Sequence, residues 1–116
     1  MAIERLHHAA FTVTDMDAAV SFYALLGFEP IERPDFGFPG AWLQAGDAQV
    51  HLLESPNLPP SDGTHVAMKV DDLEAVVSTL EGAGLRVGRL PHVQGAGRQA
   101  FVKDPSGNQI ELNQPD

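Results

Sequence analysis

His8-Ala-Ala-Phe-Thr-Val-Thr-Asp15 and His65-Val-Ala-Met-Lys-Val-Asp-Asp72 are the same stretch written twice, 57 residues apart. Carrying the comparison on to Gly27 and Gly84 gives eight identities in twenty positions: His8/His65, Ala10/Ala67, Val13/Val70, Asp15/Asp72, Ala18/Ala75, Val20/Val77, Ser21/Ser78 and Gly27/Gly84. Composition alone would give roughly one or two. Once extra turn residues are allowed for, Trp42-Leu-Gln aligns with Phe101-Val-Lys, and Gln49-Val-His-Leu with Gln109-Ile-Glu-Leu. The chain reads as a tandem duplication.

Each copy carries the same signals in the same order. Residues 6–13 and 65–70 alternate apolar and polar with β-branched or aromatic side chains, which predicts strands. Asp15 is placed to cap a helix with Met16, Ala19, Val20 and Tyr23 on one face, and Asp72 to cap one with Leu73, Val76, Val77 and Leu80. Gly27 and Gly84 stand where such helices end in a left-handed residue. Three strands are predicted after each helix, at about 28–32, 41–45 and 48–54, then at about 85–89, 99–103 and 108–113. Asp104-Pro-Ser-Gly-Asn108 is a turn signal. The proline-bearing stretch 55–63 links module one (about 1–54) to module two (64–116). The expectation is a single α+β domain of two tandem βαβββ modules, with curled mixed sheets around a metal-centred cleft.

Composition narrows the partners. With 116 residues the chain has room for one small domain, and its net charge of −9 disfavours nucleic acid and anionic membranes. Cysteine is absent, which removes disulfides and thiolate ligands from consideration. No apolar run has the length of a membrane span or the form of a signal peptide, so a cytoplasmic location is the default expectation.

Strand parity selects the chemistry. If Phe11, Val13, Val50, Leu52, Val66, Met68, Val70, Ile110 and Leu112 cover the helices, then His8, His51, His65 and Glu111 face the other way. Gln49, Leu53, Gln109 and Asn113 share that face. In the repeat, His8 matches His65 and His51 matches Glu111. Three imidazoles and a carboxylate suit a divalent zinc, nickel, cobalt, iron or manganese ion, a Lewis acid toward substrate oxygens. Glu111 is then a candidate proton shuttle, and His51 is either a ligand or a residue that hydrogen-bonds substrate.

Other residues read more plainly. His7 has the wrong parity and reads as an exposed strand-end residue; His92 reads as a solvated loop position. Arg33-Pro-Asp-Phe-Gly-Phe-Pro-Gly40 is either a hydrophobic lid or a flanking loop. Trp42 and Phe101, at matched positions, suggest core packing rather than a platform. Gly95-Ala-Gly97 with Arg98 reads as a flexible loop, weak as a phosphate cradle. Lys69 reads as reaching solvent at the sheet's end. Asp71, Asp72 and Glu74 form a stabilising charge cluster at a helix start.

Leu6-His-His8 through Leu26-Gly-Phe28, Gly63-Thr-His65 through Asp72-Leu73, and Phe101-Val-Lys-Asp-Pro-Ser-Gly-Asn-Gln-Ile-Glu-Leu112 together resemble the vicinal oxygen chelate superfamily over essentially the whole chain. That superfamily includes glyoxalase I, methylmalonyl-CoA epimerase, fosfomycin resistance transferases, extradiol dioxygenases and bleomycin-binding proteins. By this resemblance His8, His65 and Glu111 fall on the usual metal-ligand positions. His51 stands where glyoxalase I has a Glu or Gln that serves as ligand and base, and Thr12 lies near the position of an arginine that holds the glutathione carboxylate. The resemblance implies a metal-dependent lyase or isomerase of the lactoylglutathione lyase type, acting on a small molecule through a metal-chelated enediolate, with Glu111 and His51 catalytic. The alternatives are an Fe(II) ring-cleaving dioxygenase, an epimerase of the methylmalonyl-CoA type, and a non-catalytic antibiotic binder. It also implies a homodimer, with the site either within one chain or shared between two.

Overall fold

The secondary structure is one order of elements, used twice. A computed structural model describes residues 2, 5–57 and 64–116. It contains β1 (Ala9–Val13), α1 (Met16–Leu25), β2 (Glu29–Ile31), β3 (Gly40–Ala45) and β4 (Ala48–Glu54), followed by β5 (His65–Lys69), α2 (Leu73–Gly82), β6 (Gly88–Arg89), β7 (Arg98–Lys103) and β8 (Gln109–Gln114). The chain divides into two compact units, residues 1–59 and 60–116. Each holds a four-stranded mixed sheet, ordered β1-β4-β3-β2 in the first and β5-β8-β7-β6 in the second. The α+β class and the doubled βαβββ order are those read from the repeat. Among the described residues, no helix is long and apolar enough to cross a membrane.

Register carries the repeat down to single residues. In unit 1, β1 runs parallel to β4 with Ala10 opposite His51, and β3 runs antiparallel to β4 with Trp42 opposite His51. In unit 2, Ala67 and Phe101 stand opposite Glu111 in the same two senses. The helices start and stop for matching reasons. Asp15 and Asp72 each accept a backbone N–H three residues on, at 3.1 Å, satisfying a donor that the first turn leaves free. Gly27 and Gly84 then take φ near +90°, and the next amides, of Phe28 and Leu85, return to the Tyr23 and Leu80 carbonyls.

Each unit packs its helix on one sheet face. In unit 1, Phe11, Val13, Phe22, Tyr23, Phe28, Leu43, Val50 and Leu52 are buried, with the Tyr23 ring against Phe11, Phe22 and Phe28. In unit 2, Leu73, Val77, Leu80, Val102, Ile110 and Leu112 are buried. A fully buried side chain of this size contributes roughly 1.5–3 kcal/mol through removal from water.

Two boundaries differ from the sequence reading by more than one residue. The first strand begins at Ala9 rather than residue 6, so His7 and His8 precede it. Strand β6 is only Gly88–Arg89, and the Leu85 amide is used in closing α2. Of the linker 55–63, residues 58–63 lie outside the described residues.

Candidate functional site

In unit 1 the candidate residues meet as stacked rings. His8 lies on His51 with centroids 3.7 Å apart, and Trp42 covers the other side of His51 at 4.3 Å and nearly parallel. Residue 51 points away from the helix because its neighbours Val50 and Leu52 take the core side. Its burial, 8% exposed, comes from these rings. Gln49, two residues back on the same strand face, places Oε1 3.1 Å from His51 Nε2. With that oxygen as acceptor, Nε2 carries the proton and Nδ1 keeps its lone pair. Burial, and after it the charges of His8, His7 and Arg33, lower the His51 pKa, which favours the neutral ring.

In unit 2 the equivalent pair is an imidazole and a carboxylate. His65 Nε2 lies 3.1 Å from Glu111 Oε1, and Asn113 Nδ2 donates to Glu111 Oε2 at 3.1 Å. The same Asn113 nitrogen donates to the Ala96 carbonyl, also at 3.1 Å. Glu111 is 9% exposed, and the Phe101 ring stands edge-on to His65 at 5.4 Å.

The donor types suit a divalent ion, and in unit 2 their spacing does too, whereas the stacked His8 and His51 rings would have to part to aim in-plane lone pairs at one ion. Two donors bound to one ion at about 2.1 Å stand about 3.0–3.4 Å apart at octahedral to tetrahedral angles, and the His65–Glu111 separation falls in that span. Among the described residues there is no group of three or more His, Asp or Glu side chains poised to hold a metal. Each unit brings together two of the four candidates: His8 with His51, and His65 with Glu111.

Several readings need correction. Trp42 and Phe101 do not pack in the core. Opposite residues of an antiparallel pair share a face, so Trp42 faces His51 and Phe101 faces His65, while Leu43 and Val102 take the core side. His7 is exposed as read, but parity does not set it apart, because the strand starts after it. Its Nδ1 is 3.0 Å from His8 Nδ1. Gly95-Ala-Gly97 forms a hydrogen-bonded turn, with Val93 O accepting from Ala96 N and Gly97 N. Asp116 accepts from Gly95 N and pairs with exposed His92 at 2.6 Å, contacts that lower its pKa, the His92 bond most. Lys69 is exposed. Glu74 is more than a helix-start charge, since it and Glu81 both hold Arg89. Segment 33–40 carries Phe36 within 6.1 Å of Trp42. Parity had grouped Gln49 with His51 and Asn113 with Glu111. The i, i+2 spacing was the available sign that they contact them.

The family model of the Glyoxalase/Bleomycin resistance protein/Dioxygenase superfamily matches residues 5–112. The "Probable lactoylglutathione lyase" of Vibrio cholerae is 33% identical, over 98% of this chain and 93% of that one. Among solved structures, TnmS3, an antibiotic binding protein from Streptomyces sp. CB03234, is 30% identical with a TM-score of 0.80, covering 100% and 99% of the two chains. FosX from Listeria monocytogenes, a fosfomycin resistance protein solved with Mn(II), shares the fold at a TM-score of 0.86 and 18% identity, over 98% and 94%.

Proposed function

The chain belongs to the Glyoxalase/Bleomycin resistance protein/Dioxygenase superfamily, and from that premise we propose that it is a divalent-metal-dependent lyase or isomerase of the lactoylglutathione lyase type, with His8, His51, His65 and Glu111 as its ligand set. The observation that carries this reading is the pairing of repeat-equivalent residues, His8 with His51 and His65 with Glu111, with His51 and Glu111 at the same register of their parallel strand pairs, opposite Ala10 and Ala67. The similarity to the Vibrio cholerae protein supports the reaction class.

His8, His51, His65 and Glu111 would hold the ion, which supplies Lewis acidity toward substrate oxygens. The chain's own groups do the rest. His51 is kept neutral, so at neutral pH its single free lone pair, on Nδ1, serves either as a ligand or, where His8, His65 and Glu111 alone hold the ion, as a proton acceptor. Glu111 Oε1, the oxygen facing His65, is the second candidate acceptor, while Oε2 is occupied by Asn113. Trp42 and Phe101 flank the imidazoles and exclude water from one side of each. A homodimer whose two chains contribute opposite halves of each site is part of this proposal.

Elemental analysis tests the reading. After loading with Zn, Ni, Co, Fe or Mn, the protein should carry about one ion per chain, and His65→Ala should carry none. A protein that takes up no ion under any loading overturns it. A second reading, a non-catalytic binder, is favoured by the exposed Phe36 and Phe38 rings and by the similarity to TnmS3. No metal uptake under any loading, with a folded protein, would select it.

A further inference from the structure

Phe38, Phe36, Trp42, His51 and His8 form an unbroken row of rings in unit 1. Successive centroids are 5.9, 6.1, 4.3 and 3.7 Å apart. The row starts in solvent, where Phe38 is 53% and Phe36 51% exposed, and ends at the imidazole pair. Two phenyl rings left half in water cost stability unless something covers them.

The segment carrying them is held in shape. The Asp35 carboxylate accepts the Gly37 N–H at 2.9 Å, and Gly37 takes φ +82°, which disfavours any other residue there. Arg33 Nη1 donates to the Phe38 carbonyl at 3.1 Å. Its guanidinium carbon lies 4.9 Å from the Phe36 centroid and 5.1 Å from that of Phe38. A side chain at Gly40 would run into that guanidinium and the Leu52 carbonyl, so Arg33 is seated against the start of β3. Among the described residues no carboxylate pairs with Arg33. Among the described residues, Phe38 O is the one hydrogen-bond acceptor of its five N–H groups, which lie beside an aromatic surface in a chain of net charge −9.

We propose that Phe38, Phe36 and Trp42 form a stacking subsite for the planar conjugated part of a small organic acid, whose carboxylate or sulfonate is taken by Arg33. The rings supply flat apolar area, worth about 0.5–1.5 kcal/mol per stacked pair beyond burial. The guanidinium supplies charge and a forked set of donors. A purely apolar ligand would leave that fork unused, and a cation would be repelled by it. The inference rests on the preceding reading only in taking the His8–His51 end of the row as the reacting end.

Trp42 is the chain's single tryptophan, so intrinsic fluorescence reports directly on this surface. The probe is anthraquinone-2-sulfonate, titrated into the full chain with and without bound metal. Saturable quenching is expected in both forms. It should weaken about tenfold in Arg33→Gln and in Phe36→Leu, and persist in Arg33→Lys with a smaller loss. Proflavine, planar but cationic, should bind about tenfold more weakly than the sulfonate. Linear, non-saturating quenching overturns the proposal, as does saturable quenching that Arg33→Gln and Phe36→Leu leave unchanged. A self-association abolished by Phe36→Asp also overturns it, because the rings would then be covered by a second copy. Metal uptake without saturable quenching sinks this inference alone; saturable quenching without metal uptake sinks the preceding one alone.

Discussion

Asn113 holds Glu111 by one oxygen and leaves the other to His65. Its Nδ2 lies 3.1 Å from Glu111 Oε2, while Oε1 lies 3.1 Å from His65 Nε2. The same amide reaches Ala96 O, so the carboxylate's orientation is tied to the 93–97 turn. Outer partners that orient a ligating carboxylate are worth about 10–100-fold in metal affinity. Asn113→Leu should therefore weaken metal binding within that range while leaving the fold intact. Calorimetric titration of Zn or Ni against both proteins checks it. A lowered melting temperature with unchanged affinity would show that Asn113 serves only the turn.

His51 makes a pH prediction. Its pKa is lowered, chiefly by burial and then by His8, His7 and Arg33. Unfolded, the ring titrates near the ordinary value of about 6.5. Between the two values the unfolded chain binds the extra proton, so the contribution is complete above about pH 6.5 and is lost as pH falls through the folded value. In metal-free protein, the urea midpoint should fall between about pH 7.5 and 5, and His51→Gln should flatten that fall. An unchanged slope in the variant would place the acid sensitivity elsewhere.

Asp104 predicts a cost in stability rather than in chemistry. It is buried, and its carboxylate accepts from Ser106 N, Asn108 N and Asn108 Nδ2 at 2.8–2.9 Å. These bonds close the turn between β7 and β8, where Gly107 takes φ +90°. Asp104→Ala strands these donors and should cost about 1–3 kcal/mol. The shift in denaturation midpoint measures this, and metal affinity should hold at concentrations where the variant is folded. A loss below about 0.5 kcal/mol would mean that water replaces the carboxylate.

The fold was legible because it is written twice. A capped amphipathic helix ending at Gly27 is weak evidence alone, and the same pattern ending at Gly84 is not coincidence. Alternation likewise put His51, His65 and Glu111 on the face away from the helices, since it fixes which strand residues share a face. Parity stopped working at the strand's end: His8 precedes Ala9, so its stacking on His51 depends on the path of residues 5–8. Trp42 was misread for a different reason. Large aromatics favour cores in general, and only its position opposite His51 in the register shows that it belongs to the other face. The Arg33–Phe36–Phe38 cluster was out of reach, because a proline- and glycine-bearing loop has no period from which side-chain direction follows.

The proposed sharing of the site between two chains makes a prediction that a site within one chain cannot match. His8→Ala with His51→Ala removes the unit 1 half; His65→Ala with Glu111→Gln removes the unit 2 half. Neither double variant should hold metal by itself. If each site takes unit 1 from one chain and unit 2 from its partner, a mixed dimer regains one intact site, because each chain supplies the half that the other lacks. Random exchange makes about half of the dimers mixed, so metal content should recover to about a quarter of that of the unaltered protein. If both halves come from one chain, every chain in the mixture is defective and no metal returns. Unfolding and refolding the two variants together, followed by elemental analysis of the dimer fraction, decides between these outcomes. Refolding each variant separately controls for adventitious ions.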